Sequence, residues 1–162
     1  MGGWMSKYYG GRLSLAVIVG ICCFIADQSS KNWAMCNLSQ AAYKPFIPGF
    51  LRLTLVTNTG GAFGVGCGNN IAMTLLAGAI MIGILGWVLW RERSGQHLSV
   101  MQWCGAGFLI GGAFGNFWDR LMLGHVIDFL DFAFINFPVF NASDVFVDIG
   151  IGLILLSKVF SK

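Results

Sequence analysis

Long apolar runs separated by short polar stretches organise this chain. Residues 71–90 and 98–118 are almost entirely apolar and contain no charge. Each is long enough to cross the hydrocarbon of a bilayer, which takes about 20 apolar residues in a helix. A shorter apolar run over 13–26 is carried on to residue 33 by the polar stretch Asp27-Gln-Ser-Ser-Lys31. The last run, 139–160, holds Asp144 and Asp148 in its first half. The pattern predicts four transmembrane helices, at about 13–33, 71–90, 98–118 and 139–160, two clean and two bearing acids towards one end. Between the first two, Phe50-Leu-Arg-Leu-Thr-Leu-Val56 alternates apolar and polar positions, which predicts a short strand at the membrane surface. Residues 119–138 form a second, irregular connection. The fold class expected is an all-α membrane protein with a small β-containing extracytoplasmic segment, built as one domain over 1–162.

Composition supports this reading. Hydrophobic residues make up 56% of the 162 residues and charged residues only 10%, where soluble domains carry about 25%. So few charges cannot cover a water-facing surface. The net charge of +3 comes without a basic run, so no nucleic-acid partner is expected. Lys7 and Arg12 before the first apolar run also fit a cleaved signal peptide. No small-x-small cleavage site follows it, however, and Ile21 before Cys22 is too large for a lipidation site.

Lysine and arginine set the expected orientation. With four spans, Lys7, Arg12, Arg91, Arg93, Lys158 and Lys162 share one side, against Lys31, Lys44, Arg52 and Arg120 on the other. The bias of six to four puts both termini in the cytoplasm. Trp4, Trp33, Trp87, Trp90, Trp103 and Trp118 fall at or near the predicted span ends, where an amphipathic indole is favoured. The five cysteines are scattered, and His97 and His125 are isolated in sequence. No zinc-ligand spacing results, and neither a metal nor another cofactor is expected. Cys36 and Cys67 both fall on the outer, oxidising side, which allows a disulfide.

Apart from Glu92, every acid is an aspartate: Asp27, Asp119, Asp128, Asp131, Asp144 and Asp148. The predicted topology gathers all six at the outer ends of the helices or in the outer connection. Ionisable groups at membrane depth are costly and are by default functional candidates. Plainer roles compete. Asp27 and Lys31 are spaced for an i, i+4 salt bridge. Asn141 and Asp144 have the spacing of an N-cap and its third helical residue. Asp119 and Arg120 are neighbours that cannot face each other, so each needs a partner elsewhere. Asp131 and Asp148 are expected to be exposed or structural. The glycines of Asn58-Thr-Gly-Gly-Ala-Phe-Gly64 and Gly111-Gly-Ala-Phe-Gly-Asn116 suit close helix packing. Packing does not account for Asn58 and Asn116, whose amides need partners at membrane depth. A polar pocket at the outer leaflet follows.

Five blocks in order then resemble the lipoprotein signal peptidases, or type II signal peptidases, of bacterial inner membranes. They are Asp27-Gln-Ser-Ser-Lys31, Asn58-Thr-Gly-Gly-Ala-Phe-Gly64, Gly112-Ala-Phe-Gly-Asn-Phe-Trp-Asp-Arg120, Gly124-His-Val-Ile-Asp-Phe129 and Phe137-Pro-Val-Phe-Asn-Ala-Ser-Asp144. The resemblance implies an aspartic endopeptidase of the inner membrane with Asp128 and Asp144 as the catalytic pair. It implies that Asp27, Lys31, Asn58, Gly60, Asn116, Asp119, Arg120 and Asn141 shape and support the site. The implied substrate is a lipidated prolipoprotein, cut just before its diacylglyceryl-modified cysteine by a monomer surrounded by membrane lipids. One departure is Ser143, where the family usually has alanine; it adds a hydroxyl beside a catalytic carboxylate.

The residue types fit this chemistry on their own terms. Two carboxyls that cannot both ionise can hydrolyse an amide without serine, cysteine or metal machinery. The main alternative is a proton- or cation-coupled transporter. Its acids would sit near the midplane of a repeated fold, whereas these gather at one end and no repeat is evident. A non-catalytic assembly subunit would leave the polar cluster unexplained.

Overall fold

The computed structural model describes residues 2–60 and 69–160, with side chains from residue 11 onward. Helix α1 (Gly2–Asn37) is followed by strands β1 (Lys44–Ile47) and β2 (Leu51–Asn58). Helices α2 (Asn70–Arg93) and α3 (Val100–Leu123), strand β3 (Val126–Phe132) and helix α4 (Ala142–Val159) complete the order. The chain is mostly helical, with one small sheet. Of the four helices, the stretches Gly11–Asn37 and Asn70–Arg93 are long and apolar enough to cross a membrane. The Cys36–Cys67 disulfide, residues 61–64 of the second motif block and Lys162 lie outside the described residues.

Local sequence explains where the helices begin and end. Ser99 caps α3, accepting from the Gln102 amide while the Gln102 side chain returns to the Ser99 N–H. Gly124, at φ +77°, ends α3 in the left-handed conformation that glycine adopts without penalty. That end lies beyond the predicted boundary at 118, so Asp119 and Arg120 belong to the helix. Asn141 and Asp144 form the same reciprocal box at the start of α4. This helix begins at Ala142 rather than 139, because Phe140 pairs with strand β3 through backbone hydrogen bonds to Leu130.

Helix α3 is the centre of the bundle, flanked by α1, α4 and α2. Its glycines make this possible. A Cβ at Gly107 would sit 2.6 Å from the Ala16 carbonyl oxygen, and one at Gly111 2.5 Å from that of Gly20. On the α4 side, a Cβ at Gly105 would come within 2.9 Å of the Gly150 oxygen, and one at Gly112 within 2.6 Å of the Ser143 oxygen. The expected packing role of the 111–116 glycines is therefore met.

The sheet has the order β1-β2-β3 and is antiparallel throughout. Pro48 and Gly49 turn β1 into β2, with Gly49 at φ +73°. Strand β2 matches the alternation predicted over 50–56. Strand β3 replaces the irregular connection expected around residue 128. Leu53 and Phe129 bury against Ala34 of α1 and anchor the sheet to the polar end of the bundle.

The pairing of β2 with β3 contains one irregularity that matters. Arg52 opposes Asp131 and Leu53 opposes Leu130, but Val56 opposes Asp128. One extra residue on β2 is absorbed as a bulge, which reverses the faces of everything beyond it. Without it, Asn58 would share a face with Arg52. With it, Asn58 projects on the face of Asp128.

Candidate active site

Five elements converge at the polar end. Helix α1 brings Asp27 and Lys31, α3 brings Asn116, Asp119 and Arg120, β2 and its continuation bring Asn58 and Gly60, β3 brings Asp128, and the start of α4 brings Asn141 and Asp144. All ten residues expected at the site meet in one hydrogen-bonded network.

Lys31 is its hub. Its ammonium lies 2.8 Å from Asp27 and 2.9 Å from Asp119, and it donates to Asn116 Oδ1 at 3.0 Å. All three ionic side chains are at most 3% exposed. The i, i+4 salt bridge is therefore real, but it is part of a larger device. Asp27 also accepts from the Ser143 backbone N–H at 2.9 Å, tying α1 to the first turn of α4. Asp119 accepts from the Ile127 N–H at 3.3 Å, tying α3 to β3.

Asparagines link this ionic hub to the two remaining carboxyls. Asn116 Nδ2 donates to Asp144 Oδ1 at 2.8 Å. Asn141 Nδ2 donates to Asn116 Oδ1 at 3.0 Å and to Asp128 Oδ1 at 2.6 Å. Asn58 Nδ2 donates to Asp128 Oδ2 at 2.8 Å. Asn141 thus caps α4 and also holds Asp128. Arg120 Nη2 donates to the Gly60 oxygen at 2.9 Å, while Asn58 Oδ1 accepts from the Gly60 N–H at 2.9 Å.

Asp128 and Asp144 open onto one cavity of about 530 Å³, which Asn58, Asn116, Arg120 and Asn141 also line. Phe132, Phe137 and Phe140 form an aromatic wall beside them, with ring centroids 5.1 to 6.0 Å apart. Burial pushes the Asp128 carboxyl up to about 6, against the lowering effect of the Asn58 and Asn141 hydrogen bonds and of Lys31. The neighbouring Asp144 charge pushes in the same direction as burial. An acid tuned this close to neutrality beside a second carboxyl can hold or release a proton under working conditions. Among the described residues, no three histidine, cysteine or acidic side chains converge as a metal site.

Gln28 is a participant that sequence did not single out. Gln28 Nε2 donates to Asp119 at 2.8 Å and to Asp27 at 3.1 Å; its place in the polar stretch Asp27-Gln-Ser-Ser-Lys31 was its only signal. Asp131 is structural, as expected, and pairs with Arg52 across the sheet at 2.6 Å. Asp148, in contrast, lines the cavity. The Ser143 hydroxyl has no hydrogen-bond partner, and it crowds the open face of Gly115 together with Asp27 Oδ2.

Residues 19–160 match the family model described as signal peptidase (SPase) II. The chain belongs to this family. Curated relatives agree along nearly the whole length. The lipoprotein signal peptidase of Nostoc punctiforme is 37% identical over 141 residues, 87% of each chain. That of Thermosynechococcus vestitus is 36% identical over 155 residues, covering 94% of this chain and 96% of its own. A bacterial membrane enzyme solved by the in meso method at 2.3 Å resolution superposes with a TM-score of 0.78 at 26% identity, over 89% of this chain and 87% of its own. Membership makes the chain a membrane-bound aspartic peptidase of the signal peptidase II class. It leaves the transporter alternative without support.

Proposed function

We propose that this protein removes the signal peptide from diacylglyceryl-modified prolipoproteins, cutting just before the lipidated cysteine, with Asp128 and Asp144 as the catalytic pair. The observation that carries this reading is the chain Asp128–Asn141–Asn116–Asp144. It fixes two carboxyls from separate elements against one cavity and leaves both facing it. Two carboxyls at close range share a proton. The ionised partner takes a proton from a water molecule as that water attacks the scissile carbonyl carbon. The protonated partner donates towards the carbonyl oxygen, and the proton taken from water then passes to the leaving amine. The pair titrates as a unit.

The surrounding groups hold this geometry. Lys31 bridges the Asp27 and Asp119 carboxylates, and the three lock α1, α3 and α4 in register. Asn58, Asn116 and Asn141 aim the carboxyls. Arg120 lines the cavity, where it meets the substrate backbone, and Gly60 holds the guanidinium through its carbonyl oxygen. The aromatic wall of Phe132, Phe137 and Phe140 accepts acyl chains while the thioether-linked cysteine lies at the carboxyls.

In this reading the single domain 1–162 crosses the bacterial inner membrane four times as a monomer among lipids, both termini are cytoplasmic, and the site opens near the outer leaflet. The large apolar side chains left exposed along α1, α2 and α4, such as Ile18, Ile82 and Leu155, fit solvation by lipid tails.

The test is cleavage of a lipidated precursor by the purified protein. Asp128→Asn and Asp144→Asn each lower turnover by at least about a hundredfold, the scale of a lost acid–base group, with the folded structure intact. Near-normal turnover in either variant removes that residue from the pair.

A further inference from the structure

A third carboxyl on the cavity wall has no task in the reaction just described. Asp148 lines the cavity together with Asp128 and Asp144 and is exposed in it. The other aspartates are matched: Asp27 and Asp119 to Lys31, Asp131 to Arg52, and the catalytic pair to asparagines. Among the described residues, none makes a hydrogen bond or ion pair with Asp148. A carboxyl at membrane depth is costly unless a partner reaches it. Other polar groups lining the cavity bond elsewhere: the two Nη groups of Arg120 with the Asn116 and Gly60 oxygens, and Asn116 with Asp144. No described residue supplies that partner, and the cavity that Asp148 lines is open to a group entering from outside.

Position identifies that group. Asp148 lies one turn beyond Asp144 on α4, about 6 Å further along the axis. Helix α4 runs from the polar end into the apolar bundle, the direction in which the signal segment extends from the cut. An extended peptide covers about 6 Å in two residues, and a helical one in four. The open face continues beyond Asp148, because a Cβ added at Gly152, on the next turn, meets nothing within 4 Å. A substrate segment therefore has room along this strip.

We propose that Asp148 is a specificity-determining residue. It accepts a hydrogen bond from, or pairs with, a hydroxyl-, amide- or amine-bearing side chain two to four residues before the cleaved bond. This enzyme then favours signal peptides with a donor at that depth over wholly apolar ones. The inference rests on the catalytic reading above.

The test uses the full-length protein and diacylglyceryl-modified precursors that differ only in leucine, serine or lysine at the second, third or fourth position before the lipidated cysteine. Values of kcat/KM are compared for wild type, Asp148→Val and Asp148→Asn. Wild type cleaves the donor-bearing precursor about tenfold better than the leucine one at one of these positions, as a hydrogen bond to a charged acceptor allows. Asp148→Val loses that preference and cleaves the leucine precursor faster than wild type does. Asp148→Asn keeps an acceptor and retains the serine preference while losing the lysine preference. The same substrate ratios in wild type and Asp148→Val would overturn this inference while leaving the catalytic pair intact. Failure of wild type to cleave any precursor would overturn the catalytic reading and this inference with it.

Discussion

The same three helices, α1, α3 and α4, meet in two different ways at their two levels. In the glycine seam, backbone lies directly on backbone: Gly107 against Ala16, Gly111 against Gly20, and Gly105 against Gly150. At the polar end, side chains span the gap, and Lys31 by itself touches Asp27, Asn116 and Asp119. The seam has no directional groups, so it fixes how close the helices stand. The polar end is all direction, and in a dry interior its hydrogen bonds fix rotation and register. Gly115 belongs to both levels, since the space of its missing side chain is taken by the Ser143 hydroxyl and the Asp27 carboxylate. Close approach is what allows short polar side chains from three helices to reach one another at all.

The comparison can be broken at either level. Lys31→Met at the polar end leaves Asp27 and Asp119 buried without their cation. The expected cost is about 3–5 kcal/mol of stability, read by unfolding in micelles; a loss below 1 kcal/mol would mean the ionic hub does not hold the helices. Gly111→Ala in the seam drives a methyl into the Gly20 backbone, which cannot swing aside as a flexible side chain would. Its cost is about 1–3 kcal/mol, and an unchanged unfolding midpoint would show that the seam is looser than described.

Smaller effects sharpen the picture. Asp144→Asn removes a charge that raises the Asp128 carboxyl, so Asp128 should titrate below about 6, as followed by carbon NMR of labelled aspartate. Movement upwards would show that the two groups do not sense each other. Ser143→Ala removes a buried hydroxyl with no partner and should stabilise the fold by about 1 kcal/mol. A destabilised variant would mean that the hydroxyl has a bonding role. Asp131→Asn loosens the pair with Arg52, whose side chain is 33% exposed. Its expected cost is at most about 1 kcal/mol, with turnover preserved; a collapse in turnover would place the outer end of the sheet in the reaction.

Much of this was legible in the chain itself. Apolar runs located all four helices to within a few residues at most ends, because helix length and hydropathy are local properties. The spacing of Asn141 and Asp144 announced the capping box, and the spacing of Asp27 and Lys31 their ion pair. Strand β3 was not legible. Its acids, Asp128 and Asp131, stand three apart, so they point to opposite faces and spoil the alternation that marks a strand. Asp148 is exposed, as one of its two expected readings had it, but its place on the cavity wall was not legible, since the i, i+4 relation to Asp144 shows a shared helix face but not what that face adjoins.

Sequence alone determined the helices, their caps, the polar residues within apolar surroundings and the family to which their order belongs. All of these are set by interactions within a few residues or by the identity of the side chains. Tertiary structure alone decided which polar groups touch. The Asp27 carboxylate finds the Ser143 N–H 116 positions away, through two helix seams that must close together. Asn58 reaches Asp128 only because one extra residue in β2 turns the strand over, and that bulge exists only once the partner strand is in place.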